Sequence, residues 1–508
     1  MKINYLLLLL GIFSYSVTAQ DKEIEYPFAE PGTKVSRGVF GADDRKEVKD
    51  AHGYEDFVRA TAVMIPKDKI YGDEVYGWSL SDRLKSQFGT DKFDDNVKYL
   101  DQPAIGSCTG FLIAPDMMVT AGHCINSMED ANSYVWVFDY TSESKFIDGM
   151  YLKFDPKNIY EVESIIASKL DDESKDDYAV LKLTRASERA PYRFRTSGGV
   201  LKNGAINTIG SPTGLPLKFS TNAVVVDTSP NNWFKSNIDS FPGNSGGPVF
   251  DQNGFIEGIL VRGAVEYSDG SYTGDYKYDE DCDCVKTVQW NSVAFTAGCQ
   301  AHKITSVPSN ALIMAVYENM EYAIKNNLMD RFKSWSIYNW IFNHKYTKEK
   351  GRLEPLAIKH KSNEVLADIL RHTSNEISDD EGRHFIDLTM SNNNGDALKI
   401  LLENNVLADA GLNSTNTALQ NAVIKNKTNM AELLLYHGAD AKIKTKSGDN
   451  LLHLAAKKGN KTMAKLFVEK GVGAGDKNND KNYPEKIAKK AGHKDLAKYL
   501  KNARKGRL

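Results

Sequence analysis

The chain contains a serine set between glycines, and this segment has the residue types that could most directly carry out chemistry. Ser245 lies in Gly243–Pro248, which reads Gly-Asn-Ser-Gly-Gly-Pro. A serine hydroxyl is a weak nucleophile unless a base removes its proton and hydrogen-bond donors stabilise the oxyanion that forms. A glycine at position 243 lets the backbone N–H groups of Gly243 and Ser245 point at one place without an intervening side chain. The segment therefore predicts a nucleophile, Ser245, and an oxyanion hole made by Gly243 and Ser245, against the alternative of an ordinary turn.

A histidine follows an apolar hairpin pattern well upstream of this serine. Two apolar runs flank a turn at residues 115–116, and the second run leads to His123, which has small residues before it and a cysteine after it. Between residues 38 and 310 the other histidines are His52 and His302, and neither follows such a hairpin. A single histidine is usually an ordinary surface or core residue. This placement, where a buried hairpin meets the surface, instead predicts that His123 is a catalytic base.

An aspartate opens an apolar strand later in the chain. Asp177 directly precedes the sequence Tyr-Ala-Val-Leu-Lys-Leu, whereas the acids from 171 to 176 lie in a charged loop, where most acids are simply solvated. An acid next to a buried strand is placed to be buried itself, to accept a hydrogen bond from a histidine ring nitrogen and to fix its tautomer. Asp177 is therefore the expected third member of a triad with His123 and Ser245.

These three motifs together resemble those of the chymotrypsin-type serine peptidases, which have the same order of histidine, aspartate and serine. The resemblance spans roughly residues 35–315 and implies two antiparallel β-barrels with the site in the cleft between them. Within that family the chain is most similar to the bacterial glutamyl-endopeptidase branch, because Val39–Arg45 resembles the start of those mature enzymes.

The residues expected to line the pocket for the substrate side chain are inferred from the same resemblance. They are Asp239, Ser240, Leu260, Val261, Arg262 and Gly263, with Arg262 at the rim. In trypsin-like members an aspartate six positions before the serine selects Lys or Arg, whereas the glutamyl branch often carries one there without basic specificity. Leu260 stands where that branch usually has a histidine that contacts an acidic side chain. We therefore expect no glutamate preference: Lys or Arg is preferred if Asp239 faces the pocket, and a neutral or small residue if it is turned away.

Five cysteines fit an oxidising compartment, because a cytosolic enzyme seldom pairs its thiols. The family resemblance implies that Cys108 and Cys124, which bracket the histidine hairpin, are bonded. Cys282 and Cys284 are separated from Cys299 by a short segment, so one pair would close and one thiol would remain. The pair expected here is Cys284–Cys299, with Cys282–Cys299 as the alternative. The acidic stretch that contains the first two could instead hold a metal, but it has no histidine; we expect an exposed loop, no metal and no cofactor.

The amino terminus has the pattern of a secretory signal peptide. Lys2 is followed by a short apolar core and by small residues that predict cleavage after Ala19. A membrane anchor would need ~20 apolar residues, and this run is far shorter. We expect a secreted or periplasmic protein without a membrane span.

From about residue 350 the sequence repeats with a period of 33 residues. Thr417, Asn450 and Tyr483 occupy equivalent positions, and Gly438 is equivalent to Gly471. Each unit has a short helical pattern followed by a longer one and a turn. This period and helix pair resemble ankyrin repeats, and about four to five such units would stack into a solenoid.

The expected fold class is therefore multidomain, with an all-β, trypsin-like double β-barrel followed by an all-α ankyrin-repeat solenoid. The expected division is a signal peptide at 1–19, an N-terminal extension at 20–37, a trypsin-like serine peptidase domain at 38–325, a helical linker at 326–349 and an ankyrin-repeat domain at 350–505.

The functional hypothesis is a secreted serine endopeptidase that hydrolyses protein or peptide substrates and uses its ankyrin repeats to bind a protein partner or to regulate the enzyme. The alternative is an ankyrin-based adaptor whose protease-like domain is inactive or secondary. Residues 440–508 carry 17 Lys and 2 Arg against 7 acids, a net charge of +12, while the whole chain carries −3. A basic solenoid end could bind anionic surfaces. No pattern of aromatic residues interleaved with these charges supports nucleic-acid recognition, so we expect a solvated end repeat and no nucleic-acid partner.

Overall fold

A computed structural model of the chain describes residues 43, 45–50, 58–262, 275–289, 299–410 and 415–507. The predicted signal peptide at 1–19 and the extension at 20–37 lie outside these residues. The strands of the first part are β1 Lys46–Glu47, β2 Thr61–Pro66, β3 Ile70–Tyr71, β4 Glu74–Tyr76, β5 Cys108–Ala114, β6 Met117–Thr120, β7 Tyr134–Phe138, β8 Tyr151–Lys153, β9 Ile159–Tyr160, β10 Val162–Leu170 and β11 Asp177–Leu183. Those that follow are β12 Ala205–Gly210, β13 Lys218–Asp227, β14 Trp233–Ser236, β15 Pro248–Phe250, β16 Ile256–Arg262, β17 Tyr276–Asp279, β18 Cys284–Thr287 and β19 Cys299–Lys303.

Most of these strands form two antiparallel sheets. The first sheet has the order β10-β11-β6-β5-β2-β7-β9, and the second has the order β1-β13-β12-β15-β16-β19-β14. Every residue of β5 and β6 is buried, as expected of the apolar hairpin that leads to His123. The two sheets form the predicted all-β part of the fold.

A smaller unit is inserted between β2 and β5. It contains β3 and β4, which form a three-stranded sheet with β8 in the order β3-β4-β8, and the helix α1, Leu80–Phe88. The hydroxyl of Ser79 caps this helix by accepting from the N–H of Asp82, and Gly89 ends it in the left-handed conformation. Later in the chain a short helix, α2, spans Met128–Ser133.

The helical part of the chain begins directly after β19 and a short 3₁₀ turn. Its helices are α3 Ser309–Lys325, α4 Met329–Ser336, α5 Lys345–Lys350, α6 Leu353–His360, α7 Asn363–Thr373, α8 Asp379–Ser391, α9 Gly395–Glu403, α10 Ala418–Ile424, α11 Thr428–Tyr436, α12 Leu451–Lys458, α13 Lys461–Glu469, α14 Pro484–Lys490 and α15 Lys494–Arg504. From α6 onwards the described helices form five consecutive pairs, which agrees with the four to five repeat units expected from the sequence.

The 33-residue period has a structural cause. Thr417 and Asn450, one repeat apart, each accept a backbone N–H at the start of the first helix of their unit. Adjacent units are joined by hydrogen bonds between residues 34 positions apart: the Asn421 amide donates to Asp387 at 3.1 Å, and the Lys427 ammonium donates to Asn393 at 2.7 Å. Each repeat therefore stacks on the previous one, as in a solenoid.

Aromatic residues connect the strand-rich and helical parts. The Tyr338 hydroxyl accepts from the backbone N–H of Phe194 at 2.9 Å and donates to its carbonyl at 2.7 Å, and both Trp335 and Tyr338 are buried against the Phe194 ring. Helix α3 is tied to β5 by the Asn319 amide, which donates to the carbonyl of Ile113 at 2.7 Å. The region predicted to be a helical linker is therefore packed on the strand-rich part.

The first repeat helices also pack on α3. The Ser362 hydroxyl donates to the carbonyl of Ile324 at 2.5 Å, and the Tyr317 hydroxyl donates to that of Gly351 at 3.1 Å. Within the described residues, no helix is both long enough and apolar enough to cross a bilayer.

Candidate active site

His123 is placed by the buried hairpin of β5 and β6. The strand β6 pairs with β11 and leads into the small residues before His123, where a Cβ on Gly122 would lie 2.4 Å from the carbonyl oxygen of Lys169. Only glycine allows this close approach, and it brings the end of β6 beside the start of β11. A disulfide joins Cys108 to Cys124 with Cα atoms 6.3 Å apart, which closes the base of the hairpin.

Asp177, the first residue of β11, lies directly against His123. Its side chain is 1% exposed, and one carboxylate oxygen accepts from the backbone N–H of His123 at 3.0 Å. The other oxygen lies 2.9 Å from Nδ1 of the imidazole ring. A carboxylate only accepts hydrogen bonds, so we assign the ring proton to Nδ1, which leaves Nε2 as a proton acceptor on the exposed side of the ring.

Ser245 lies in a turn that only glycine-rich sequence could form. Gly243 and Gly246 have φ angles of 97° and 86°, and Cβ atoms there would lie 2.3 and 2.1 Å from the carbonyl oxygens of Ser211 and Thr109. Side chains at either position would collide with the backbone. The turn therefore holds the half-buried Ser245 between two positions where no side chain fits.

Thr109, in the histidine hairpin, holds the serine turn from the other half of the fold. Its N–H donates to the carbonyl of Ser245 at 2.8 Å, and its hydroxyl donates to that of Gly243 at 2.7 Å. The Cys124 sulfur lies 3.7 Å from the same Ser245 carbonyl oxygen, so the serine turn rests beside the disulfide that follows His123. Sequence reasoning missed Thr109, because its partners are more than 130 residues away and no local pattern marks the contact.

Two features of the serine turn bear on its chemistry. Within the described part of the chain, the backbone N–H groups of Gly243 and Ser245 donate to no acceptor, so both are available to an oxyanion. Among the same residues there is no hydrogen bond between the Ser245 hydroxyl and the ring of His123. Such catalytic hydrogen bonds are often long before substrate binds.

Arg262 lies beside the acid. Its Nη2 is 3.4 Å from the carboxylate of Asp177, and its side chain is 29% exposed. The sequence led us to expect this residue at the rim of the substrate pocket. A guanidinium next to a nearly inaccessible carboxylate compensates part of the cost of burying that charge.

The other expected pocket residues are mostly buried. Asp239 is 3% exposed and Val261 is 2% exposed, while Ser240 is half-buried. Leu260 has no exposed surface and packs in a core cluster with Phe234, so its side chain does not line an open cavity as we had expected. Its backbone pairs with the residues after Ser245. Gly263 lies outside the described residues.

The expected Cys284–Cys299 disulfide is wrong. The structure joins Cys282 to Cys284, at the tip of the hairpin of β17 and β18. Cys299 is a buried thiol on β19, where it packs in the core and its sulfur donates to the carbonyl of Ile238 at 3.0 Å. The strand pairing of β19 fixes Cys299 in the second sheet, whereas the hairpin tip is exposed.

A second histidine–aspartate pair adjoins the first. Nε2 of His302 lies 3.1 Å from Asp176, and His302 is completely buried. Burial lowers the pKa of His302. Burial raises the pKa of Asp176, but hydrogen bonds from Lys169, Ser174 and His302 outweigh it and bring the pKa to about 2. This pair contacts neither His123 nor Ser245 and acts as an internal support for the start of β11.

Buried charges also fix the N-terminal segment beside the serine turn. The guanidinium of Arg45 is held by the carboxylate of Asp43 at 2.6 Å and lies 3.9 Å from the ring centroid of Phe241, two residues before Gly243. Lys218 contacts Glu47 at 3.0 Å, and burial lowers the pKa of Lys218 to about 8.

Two groups in the described residues bring potential metal ligands together. They are Cys108, His123 and Cys124, and Asp94, Cys282 and Cys284. In both groups the cysteine sulfurs are bonded to each other as disulfides and supply no thiolate, so these residues do not fit a metal centre.

Comparison with known proteins finds family models that match three segments of the chain. The model of the trypsin-like peptidase domain matches residues 108–259, and ankyrin-repeat models match residues 414–446 and 437–507. An extracellular metalloprotease of Bacillus subtilis (strain 168) is 27% identical over 165 residues, which are 30% of this chain and 49% of that protein. The chain thus spans about half the length of this curated relative. The structure of a Glu endopeptidase in complex with MPD aligns with 55% of this chain and 99% of its own, at 18% identity and a TM-score of 0.33.

Proposed function

Because the chain joins a trypsin-like peptidase domain to C-terminal ankyrin repeats, we propose that it is an exported serine endopeptidase with a protein-binding repeat module. The observation that carries the proposal is the contact between His123 and the buried Asp177, beside a glycine-flanked Ser245 whose carbonyl is held by Thr109.

In the proposed mechanism Nε2 of His123 takes the hydroxyl proton of Ser245 as the serine oxygen attacks the peptide carbonyl. Asp177 keeps the ring oriented and stabilises the imidazolium that forms. The N–H groups of Gly243 and Ser245 donate to the oxyanion of the tetrahedral intermediate, and one such donor is worth roughly 10²- to 10³-fold in rate. His123 then gives its proton to the leaving amine, and water repeats the sequence to release the acyl group.

The primary specificity that we propose is not for glutamate. Leu260 is apolar and buried, and cannot donate to an acidic side chain. Whether Asp239 favours a basic side chain depends on whether its carboxylate reaches the pocket, and a cleavage profile over a peptide library measures this directly. A profile dominated by cleavage after Glu would contradict the argument from Leu260.

The two disulfides support an oxidising location, and the repeats support a protein partner. We propose that the protein is secreted or periplasmic and that its repeat module presents a protein target to the peptidase. The description of the Bacillus relative as a metalloprotease applies to that protein. No residue group described above supports a metal step here.

A fluorophosphonate probe tests the proposal, because it labels only serines activated by a neighbouring base. The full-length protein should be labelled and should digest casein, and Ser245→Ala should abolish both. Ser229→Ala is the matched control, because Ser229 is exposed in a loop outside the site. A protein that is folded, binds a partner through its repeats, yet takes no label would favour the adaptor alternative. If the Ser245→Ala protein still digests casein, Ser245 is not the nucleophile and the proposed triad is wrong.

A further inference from the structure

Two contiguous cavities lead away from the serine turn. The first, of about 320 Å³, is lined by Gly243. The second, of about 410 Å³, is lined by Lys69. Arg83, Gln87 and Ser107 line both, so the two cavities adjoin at these residues, and together we call them the leaving-group groove.

The floor of this groove is bare backbone. A Cβ on Gly214 would lie 2.6 Å from the carbonyl oxygen of Gly106, and a Cβ on Gly243 would lie 3.0 Å from the backbone nitrogen of Gly214. The N–H of Gly106 also donates to the carbonyl of Gly214 at 3.0 Å. Three glycine backbones therefore meet where the groove reaches the candidate oxyanion hole, and none of these three residues has a side chain that would obstruct a peptide there.

The position of the groove beside His123 indicates which side of the scissile bond it would contact. Ser107 directly precedes Cys108, whose disulfide partner Cys124 follows His123. In the proposed mechanism His123 protonates the leaving amine. The groove therefore faces the residues that follow the scissile bond.

The wall of the groove carries two cations. Nη1 of Arg83 donates to the carbonyls of Ala104 at 3.1 Å and Thr213 at 2.7 Å, which fixes the guanidinium on the groove wall. Lys69 is half-buried, and within the described residues neither cation forms an ion pair. Burial and the nearby charge of Arg83 lower the pKa of Lys69. Two cations that repel each other in one groove are stabilised by an anion that binds between them.

One acid also lines the groove near Gly243. Burial raises the pKa of Asp275 to about 7, so at and below neutral pH a large share of its carboxyl groups is uncharged. The end of the groove that holds Lys69 is lined by no acid among the described residues. The end of the groove that holds Lys69 should therefore bind a negatively charged group more favourably than a positively charged one.

We propose that the leaving-group groove binds the part of a polypeptide substrate that follows the scissile bond, and that Arg83 and Lys69 select an acidic side chain in that part. This proposal rests on the proposed peptidase function and adds a substrate class to it, namely polypeptides with an acidic residue after the scissile bond. The insertion between β2 and β5 supplies both cations, so this specificity belongs to a segment distinct from the triad motifs.

The test uses the full-length protein and quenched fluorescent peptides derived from one library peptide that it cleaves. The peptides are identical up to the scissile bond and carry Glu, Gln or Lys at each of the next four positions in turn. At the best position we expect kcat/KM for the Glu peptide to exceed that for the Lys peptide about fivefold to tenfold at low salt. The ratio should fall as salt screens the charges.

Variants assign the preference to the groove. Lys69→Gln and Arg83→Gln should each reduce the ratio at least about twofold, and the double variant should bring it close to one. Lys85→Gln is the matched control, because Lys85 lies on the same helix as Arg83 and is likewise exposed, but it contacts Asp91 and does not line the groove. A small ester without residues after the scissile bond should be hydrolysed equally by the unmodified protein and all four variants. Arg83→Gln also loses backbone contacts, so Lys69→Gln decides the outcome if Arg83→Gln unfolds.

The outcomes separate the two proposals. If no peptide and no ester is hydrolysed, the peptidase function fails. If hydrolysis is normal but Glu and Lys peptides are cleaved equally, or if Lys69→Gln leaves the ratio unchanged, the groove proposal is overturned while the peptidase function stands.

Discussion

Replacing Asp177 by Asn tests the reasoning about the triad most directly, because the two carboxylate oxygens have different partners. One accepts from the backbone N–H of His123 at 3.0 Å and the other faces Nδ1 of its ring at 2.9 Å. An asparagine offers one acceptor and one donor group. If its oxygen keeps the backbone N–H, its NH₂ group faces Nδ1, the ring proton moves to Nε2, and Nε2 cannot take the proton of Ser245.

The alternative orientation sets the size of the effect. With the amide turned over, its NH₂ group faces the backbone N–H of His123, which leaves buried donors unsatisfied at a cost of about 1–3 kcal/mol. The imidazolium also loses a hydrogen bond to a charged partner, worth about 1.5–3 kcal/mol. The barrier to acyl transfer should therefore rise by roughly 3–6 kcal/mol, which corresponds to a loss in kcat of about 10²- to 10⁴-fold.

The assay measures kcat on one cleavable peptide, with urea unfolding as the check on folding. Asp176→Asn is the matched control: it changes the adjacent buried acid, whose partners are His302, Lys169 and Ser174 rather than His123. It should lower stability but keep kcat within a few-fold. A folded Asp177→Asn protein that loses less than tenfold, or an equal loss in Asp176→Asn, would show that the geometry at His123 does not govern catalysis.

Three further predictions address stability and organisation. Replacing Cys108 and Cys124 together with Ala removes a bond that closes 16 residues of sequence, so the free energy of unfolding in urea should fall by about 3 kcal/mol; an unchanged midpoint would contradict this. Because the pKa of Asp275 is raised, the folded state keeps a proton on this carboxyl group that the unfolded state loses from pH 3.8 upwards. Asp275 therefore lowers the free energy of unfolding by up to ~4 kcal/mol as the pH rises from about 4 to about 7. In thermal melts, the stability of Asp275→Asn relative to the wild type should therefore be greater at pH 8 than at pH 4.5. If the difference between the two proteins is the same at both pH values, the raised pKa of Asp275 is refuted. A chain that ends at residue 410 keeps α6 and α7 packed on α3. If the repeats recruit substrate, it should cleave a small peptide at a rate within a few-fold of the full-length rate, whereas a sharp rise in rate would indicate autoinhibition. A chain that ends near residue 345 should be unstable because it exposes α3.

The sequence alone determined the features that depend on local structure. The apolar runs around a turn predict the hairpin that ends at His123, and the glycines at 243 and 246 predict a turn that only glycine can form. The repeat of caps and turns every 33 residues predicts the stacked helix pairs, because each unit meets the same neighbour in the same way. Local backbone preference and periodic burial suffice for these conclusions.

The tertiary structure alone decided which distant residues meet. The contact of Arg262 with Asp177 and the two hydrogen bonds from Thr109 join residues 85 to 136 positions apart, and no short-range pattern encodes them. The same holds for the cysteines: β19 carries Cys299 into the second sheet, so Cys282 closes on Cys284 instead. These pairings depend on how the sheets and the insertion pack against one another, and packing is a property of the whole chain that local preference does not specify.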